Sequence, residues 1–151
     1  MSEEIKGALR YDEGKPDPLN LHPEVLTVIG RQAGMSQSTA NMISWFFYKT
    51  HLSGATADDF PDADPVLQQG AKKYGSLNYT KGMLYSRVMR SFLRHIISMA
   101  RGEQMCSDFG LPHRCHAMCN VVFARTYHIL GYDGGKWDDR EQFKLPTIGE
   151  D

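Results

Sequence analysis

Apolar residues recur along this chain at helical spacing, and no period-two alternation is sustained anywhere. After Pro23 and Glu24, the positions Val25, Leu26, Val28 and Ile29 predict a helix of about ten residues ending near Gly34, with proline in its first turn. A second helix, with an N-cap between Ser36 and Thr39, runs through Met42, Ile43, Trp45, Phe46, Phe47 and Tyr48. It is apolar on nearly every side, which means deep burial or a face shared with a second subunit. Pro65, Val66 and Leu67 open a further helix that must stop within GAKKYGSLNYTKGM, where Gly70, Gly75 and Gly82 interrupt it. Met83 to Arg101 is the clearest amphipathic helix. Leu84, Val88, Phe92, His95, Ile96 and Met99 mark one side of it, and Arg87, Arg90, Arg94 and Arg101 follow the other. A last helix, from about Pro112 to Leu130, buries Cys119, Val122, Phe123, Tyr127 and Leu130. The pattern predicts an all-α fold: a single compact helical bundle of four to five helices.

The remaining segments read as connections. Residues 1–22 form an extended arm rich in glycine and proline, on which Leu9, Tyr11, Leu19 and Leu21 suit packing against the domain. Arg10, Asp12 and Lys15 suit either a ligand contact or a solvated loop, and the solvated loop is favoured. His51 to Asp64 reads as a solvated acidic loop, because its aspartates lack the spacing and fixed glycine of an EF-hand. The tail from 131 to 151 reads as irregular structure or a subunit-crossing arm.

Composition narrows the partners. A chain of 151 residues with 41% hydrophobic and 23% charged positions suits one soluble globular domain. The net charge of −1 gives no general attraction to extended nucleic acid or to anionic membranes. Charge is locally polarised, however: between Lys72 and Arg101 there are seven basic residues and no acid, whereas four aspartates crowd Asp58 to Asp64. No apolar run approaches the roughly 20 residues that span a bilayer. Three cysteines cannot all pair, and Ser2, Glu3 and Glu4 stand where a secretory signal needs basic and then apolar residues, so a reducing cytoplasm is expected.

Chemistry concentrates between Arg94 and Asn120. His95, Met99 and Glu103 recur at fourfold spacing and so share a helix face, while His113, His116 and Asn120 follow at i, i+3, i+7. Two antiparallel helices joined by the intervening loop would bring His95 and Glu103 near His113 and His116, the way bundles assemble metal sites. The plainer alternative is that each histidine is a hydrogen-bonded core residue. Glu24 is read either as a further metal or water ligand or as a charge favoured by its helix dipole. A zinc site from Cys106, Cys115, Cys119 and the histidines is disfavoured, since no CxxC pair is present. The arginine row of Arg87, Arg90 and Arg94 is a solvated face or a phosphate receptor. Lys72 and Lys73 among glycines and tyrosines suit a phosphate-wrapping segment, without Walker A spacing.

Three stretches together resemble the phage and bacterial family of the dATP/dGTP diphosphohydrolase N-terminal domain, related in concept to MazG-type all-α pyrophosphohydrolases. They are RYDEGKP at Arg10 to Pro16; Gly70 to Gly75 with Asn78 and Gly82; and Arg94-His95, Gly102-Glu103 and GLPHRCHAMCN. The resemblance implies hydrolysis of a purine deoxynucleoside triphosphate to monophosphate and pyrophosphate with a divalent metal. On that reading His95, His113 and His116 hold the metal with a carboxylate from Glu103, Asp108 or Glu24, and Glu103, His113 and His116 carry the catalysis. Lys72, Lys73, Arg87, Arg90 or Arg94 meets the polyphosphate, and Tyr74, Tyr79 or Asn78 holds the base. So many imidazoles suit Mn²⁺ at least as well as Mg²⁺, with Zn²⁺ less expected. A homo-oligomer is expected, to cover the aromatic helix. The rival expectation is a non-catalytic nucleotide- or protein-binding relative that keeps the fold and the basic pocket.

Overall fold

The computed structural model describes residues 14–52 and 56–147. Arg10, Asp12 and the rest of the arm to residue 13 lie outside the described residues. Five helices carry the fold: α1 (Pro23–Gln32), α2 (Ser36–Tyr48), α3 (Thr56–Tyr74), α4 (Tyr85–Ala100) and α5 (His113–Ile129). Short 3-10 turns lie at Pro18–Asn20, Asn78–Lys81 and Arg140–Phe143. Among the described residues the only β pairing is an isolated bridge between Met105 and Pro112. The chain is all-α.

The central helix is α4. Its Val88, Met89, Phe92, Leu93 and Ile96 are buried at helical spacing, and it packs against α5 on one side and the α1–α2 pair on the other. Each such side chain contributes roughly 1.5–3 kcal/mol by leaving water, which is why this amphipathic segment organises the rest. The other extensive contact is between α3 and α5.

The segment read as a solvated loop from His51 to Asp64 is largely helix, because α3 begins at Thr56 and holds Pro61 and Pro65 within it. Proline removes intrahelical hydrogen bonds, but three features offset that loss. Asp58 and Asp59 sit in the first turn, where the dipole favours acids. Asp59 pairs with Arg125 at 3.3 Å and Asp62 with Arg114 at 3.0 Å. Ala63 is fully buried in the core. The helix continues past Gly70 to Tyr74, with Lys72 and Lys73 in its last turn. At the start of α2 the cap position is Met35, with no side-chain cap bond, in place of a serine or threonine.

Two side chains of the aromatic helix find their cover within this chain. Trp45 and Phe46 are buried within this chain. Tyr85 lies 5.0 Å from the Trp45 ring and Phe143 lies 5.5 Å from Phe46. Tyr48 stays exposed. The tail therefore folds back on its own chain. Asp139 accepts hydrogen bonds from the Ser86 backbone N–H and hydroxyl, which caps the first turn of α4. Arg140 is buried, lies over Trp45 and Tyr85, and donates to the Trp45 carbonyl at 2.8 Å. No helix among the described residues is long and apolar enough to cross a membrane.

Candidate functional site

A cavity of about 710 Å³ opens between α3, residues 75–84, α4 and α5. That volume lies within the usual range for small-molecule sites. Its walls are strongly aromatic, from Phe60, Tyr74, Tyr79, Phe109, Phe123 and Trp137. Tyr79 stacks on Phe123 at 4.8 Å. The 3-10 turn that carries Tyr79 is held down by two phenols, Tyr127 donating to the Tyr79 carbonyl and Tyr132 to the Thr80 carbonyl, each at 2.7 Å. Polar atoms enter from α4 and α5 through Arg87, Ser91, His95, His116 and Asn120, with Asn78 from the turn. Asn120 donates to the Ser91 hydroxyl at 3.1 Å and to the His116 carbonyl at 3.0 Å, which fixes its amide.

At the α4–α5 end of the cavity the histidines meet. His95 and His113 face each other Nδ1 to Nδ1 at 2.8 Å. His116 stacks on the His95 ring at 4.7 Å and contacts the Asp108 carbonyl through Nε2 at 3.1 Å. The Phe109 ring lies nearly parallel to that of His116, with centroids 6.2 Å apart. The loop between the helices is a small hairpin: Cys106 N–H donates to the Leu111 carbonyl and His113 N–H to the Gln104 carbonyl, each at 2.8 Å. This places the Cys106 sulfur beside the His95–His113 pair, with the three donor atoms within 4.8 Å of one another. Burial, then the neighbouring His116 and His113, push His95 down to about 3. Burial also lowers His113, with Glu103 opposing. Both rings are therefore neutral at pH 7.

The structure thus brings His95, His113 and His116 together as the spacing predicted. It does not put Glu103 on a helix face with His95: α4 ends at Ala100, and Glu103 lies exposed beyond it, its N–H bonded to the Ser98 carbonyl. The Asp108 side chain is exposed on the hairpin. Glu24 stands exposed in the first turn of α1, a helix that contributes nothing to the cavity wall. Of the phosphate candidates, Arg87 lines the cavity with Tyr74 and Asn78, whereas Lys72 and Lys73 are exposed at the end of α3 and do not line it. Arg90 pairs with Asp17 at 3.0 Å, and Arg94 donates to the Pro16 carbonyl at 3.0 Å. These two arginines hold the end of the arm on α4. Sequence spacing does not single out Ser91, Phe109 or the partnership of Cys106 with His95 and His113.

The sequence model of the family described as dATP/dGTP diphosphohydrolase, N-terminal, matches residues 63–140, just over half of the 151. The chain belongs to this family. No curated protein and no solved structure matches it. The family segment runs from the middle of α3 to the turn that holds Arg140, so it contains the histidine cluster and every cavity-lining residue except Phe60. Helices α1 and α2 fall outside it.

Proposed function

We propose that this chain hydrolyses a purine deoxynucleoside triphosphate to its monophosphate and pyrophosphate. The observation that carries the reading is the position of Arg87, His95 and His116 on the wall of an aromatic cavity built by the family segment. Tyr74, Tyr79 and Phe123 offer faces for a purine, and Asn78 offers an amide for its edge. The Arg87 guanidinium meets the phosphates with permanent charge in forked geometry. The His116 imidazole on the cavity wall accepts the proton of the attacking water.

The reaction class implies a divalent cation, and the donor atoms test its identity. Mg²⁺ demands oxygen ligands, yet among the described residues the group of potential ligands within reach of one ion is His95, Cys106 and His113. Glu103 and Asp108 stand exposed outside that group. The protein atoms do not fit a Mg²⁺ cage. A Mg²⁺ ion arriving with the nucleotide would be held by its phosphates, and no residue of the cluster is given to it.

The same lack of a carboxylate in the cluster favours a second reading, a nucleotide-binding relative without turnover. One experiment separates the two: incubation of the purified chain with each dNTP and NTP plus Mg²⁺ or Mn²⁺, resolving nucleotides and pyrophosphate. Monophosphate and pyrophosphate formed from a purine substrate, and lost in His116→Ala, support the hydrolase. Saturable binding without product supports the binder.

A further inference from the structure

We propose that His95, Cys106 and His113 form a binding site for a thiophilic transition-metal ion of the Zn²⁺ class, separate from any cation that travels with a nucleotide. Two nitrogens and one sulfur are a donor set that such ions favour and Mg²⁺ does not. The donors converge from three different places, the last turns of α4, the hairpin, and the first residue of α5.

The geometry suits a single ion. With Zn–N near 2.0 Å and Zn–S near 2.3 Å, donor atoms in a tetrahedral shell stand about 3.3–3.6 Å apart. Here all three lie within 4.8 Å of one another, and the imidazole pair is closer still at 2.8 Å. Side-chain shifts of about 1 Å or less complete the shell. In the metal-free chain one Nδ1 must carry a proton and the other a lone pair. An ion takes the place of that shared proton: both rings coordinate through Nδ1, the ring proton moves to Nε2, and the Cys106 thiol releases its proton to solvent.

The surroundings are arranged as around a ligand. The Cys106 sulfur already accepts a hydrogen bond from the Asp108 N–H at 3.4 Å, the kind of outer contact that orients a metal thiolate. The hairpin bonds on either side fix the Cys106 and His113 backbones before any ion arrives. Three protein donors leave a fourth position to water or a ligand oxygen. Cys115 and Cys119 are not members of the group.

The test uses the full chain, stripped with a chelator and free of nucleotide, titrated with Co²⁺ and then with Zn²⁺. One Co²⁺ per chain with a thiolate-to-cobalt charge-transfer band, displaced by Zn²⁺ and not by excess Mg²⁺, is expected. Cys106→Ser should abolish the band and weaken binding by more than the ~10–100-fold that follows loss of an outer-shell partner. Cys115→Ser should behave as wild type. Absence of the band, or its persistence in Cys106→Ser, overturns the proposal. Should Cys106→Ser lose its helical circular dichroism, alkylation of the wild-type chain decides: Zn²⁺ must protect Cys106, identified by mass spectrometry, and unprotected Cys106 rejects the site. Because the readout is metal on nucleotide-free protein, it stands or falls apart from turnover.

Discussion

His95 on α4 and His113 on α5 hold their Nδ1 atoms 2.8 Å apart, a contact that survives only while at least one ring is neutral. This makes the interface between the two helices sensitive to acid. Unfolded, each ring takes a proton near pH 6.5. Folded, burial and its histidine neighbours hold His95 unprotonated down to about 3, and His113 is lowered as well. The unfolded chain therefore binds more protons throughout that window, and stability rises with pH across it. The stabilisation is complete above pH 6.5 and is lost progressively as pH falls toward 3. Between about pH 7 and pH 5, above the ordinary pKa values of the carboxylates, the loss for His95 is on the order of 2 kcal/mol. Urea unfolding across this range should show the slope in the metal-free wild type and a shallower one in His95→Gln. Parallel curves for the two proteins would reject the assignment.

Arg140 supports a different prediction, about how the tail is held. Its guanidinium is buried against Trp45 and Tyr85 and pairs with Asp138 at 2.7 Å. Burial alone would raise the Asp138 carboxyl, but hydrogen bonds from Arg140 and from the Gly134 and Arg140 N–H groups hold it at about 2. Removing one partner of a buried pair strands the other, so Arg140→Ala should cost about 3 kcal/mol. Arg140→Lys should recover only part of this, because a single ammonium cannot reproduce the forked geometry. Chemical denaturation of the three proteins measures both steps.

The parts of this fold that are legible from the sequence are those set by local periodicity. Val88, Phe92 and Ile96 announce α4, and the spacing of His113, His116 and Asn120 correctly places all three on α5. Long-range partners leave no such trace. The first half of α3 looks like loop because Pro61 and Pro65 oppose helix formation locally, and the arginines that compensate, Arg114 and Arg125, lie some 50 to 65 positions away. The sequence leaves deep burial and a subunit interface both open for Trp45, because nothing in the tail's composition marks Arg140 or Phe143 as core residues. Within the site, the histidines are visible and the sulfur beside them is not, since the Met105–Pro112 bridge that folds Cys106 inward depends on backbone pairing and not on residue spacing.

Two glycines on the cavity wall should respond in opposite directions. At Gly82 the backbone is in the left-handed region, and an added Cβ would sit 2.2 Å from Trp137 Nε1. Gly82→Ala must displace the Trp137 ring or the turn before α4, and should cost more than the ~1 kcal/mol that a left-handed backbone alone demands. Gly70 lies inside α3, and a methyl group added there would meet nothing within 4 Å. Gly70→Ala should stabilise the chain by roughly 0.5–1 kcal/mol through helix propensity. Thermal unfolding of both variants checks the pair, and a stabilised Gly82→Ala would contradict the close contact with Trp137.

The sharpest test of the cavity as the nucleotide site compares basic residues that look alike in the sequence. Arg87 lines the cavity, whereas Lys72 and Lys73 are exposed at the end of α3 and outside its wall. If the polyphosphate enters the cavity, Arg87→Ala removes a charge-assisted contact made away from bulk water, worth about 1.5–3 kcal/mol or roughly 10–100-fold in affinity. Lys72→Ala and Lys73→Ala remove exposed charges, whose effect should stay within about threefold and shrink further with added salt. Arg87→Lys should fall between, retaining the charge without the fork. Titration calorimetry with a purine deoxynucleoside triphosphate and Mg²⁺, at low and physiological ionic strength, reads these variants against wild type. Equal losses at Arg87 and the two lysines would place the phosphates on the outer end of α3 instead, and the cavity would then lose its claim to be the nucleotide site.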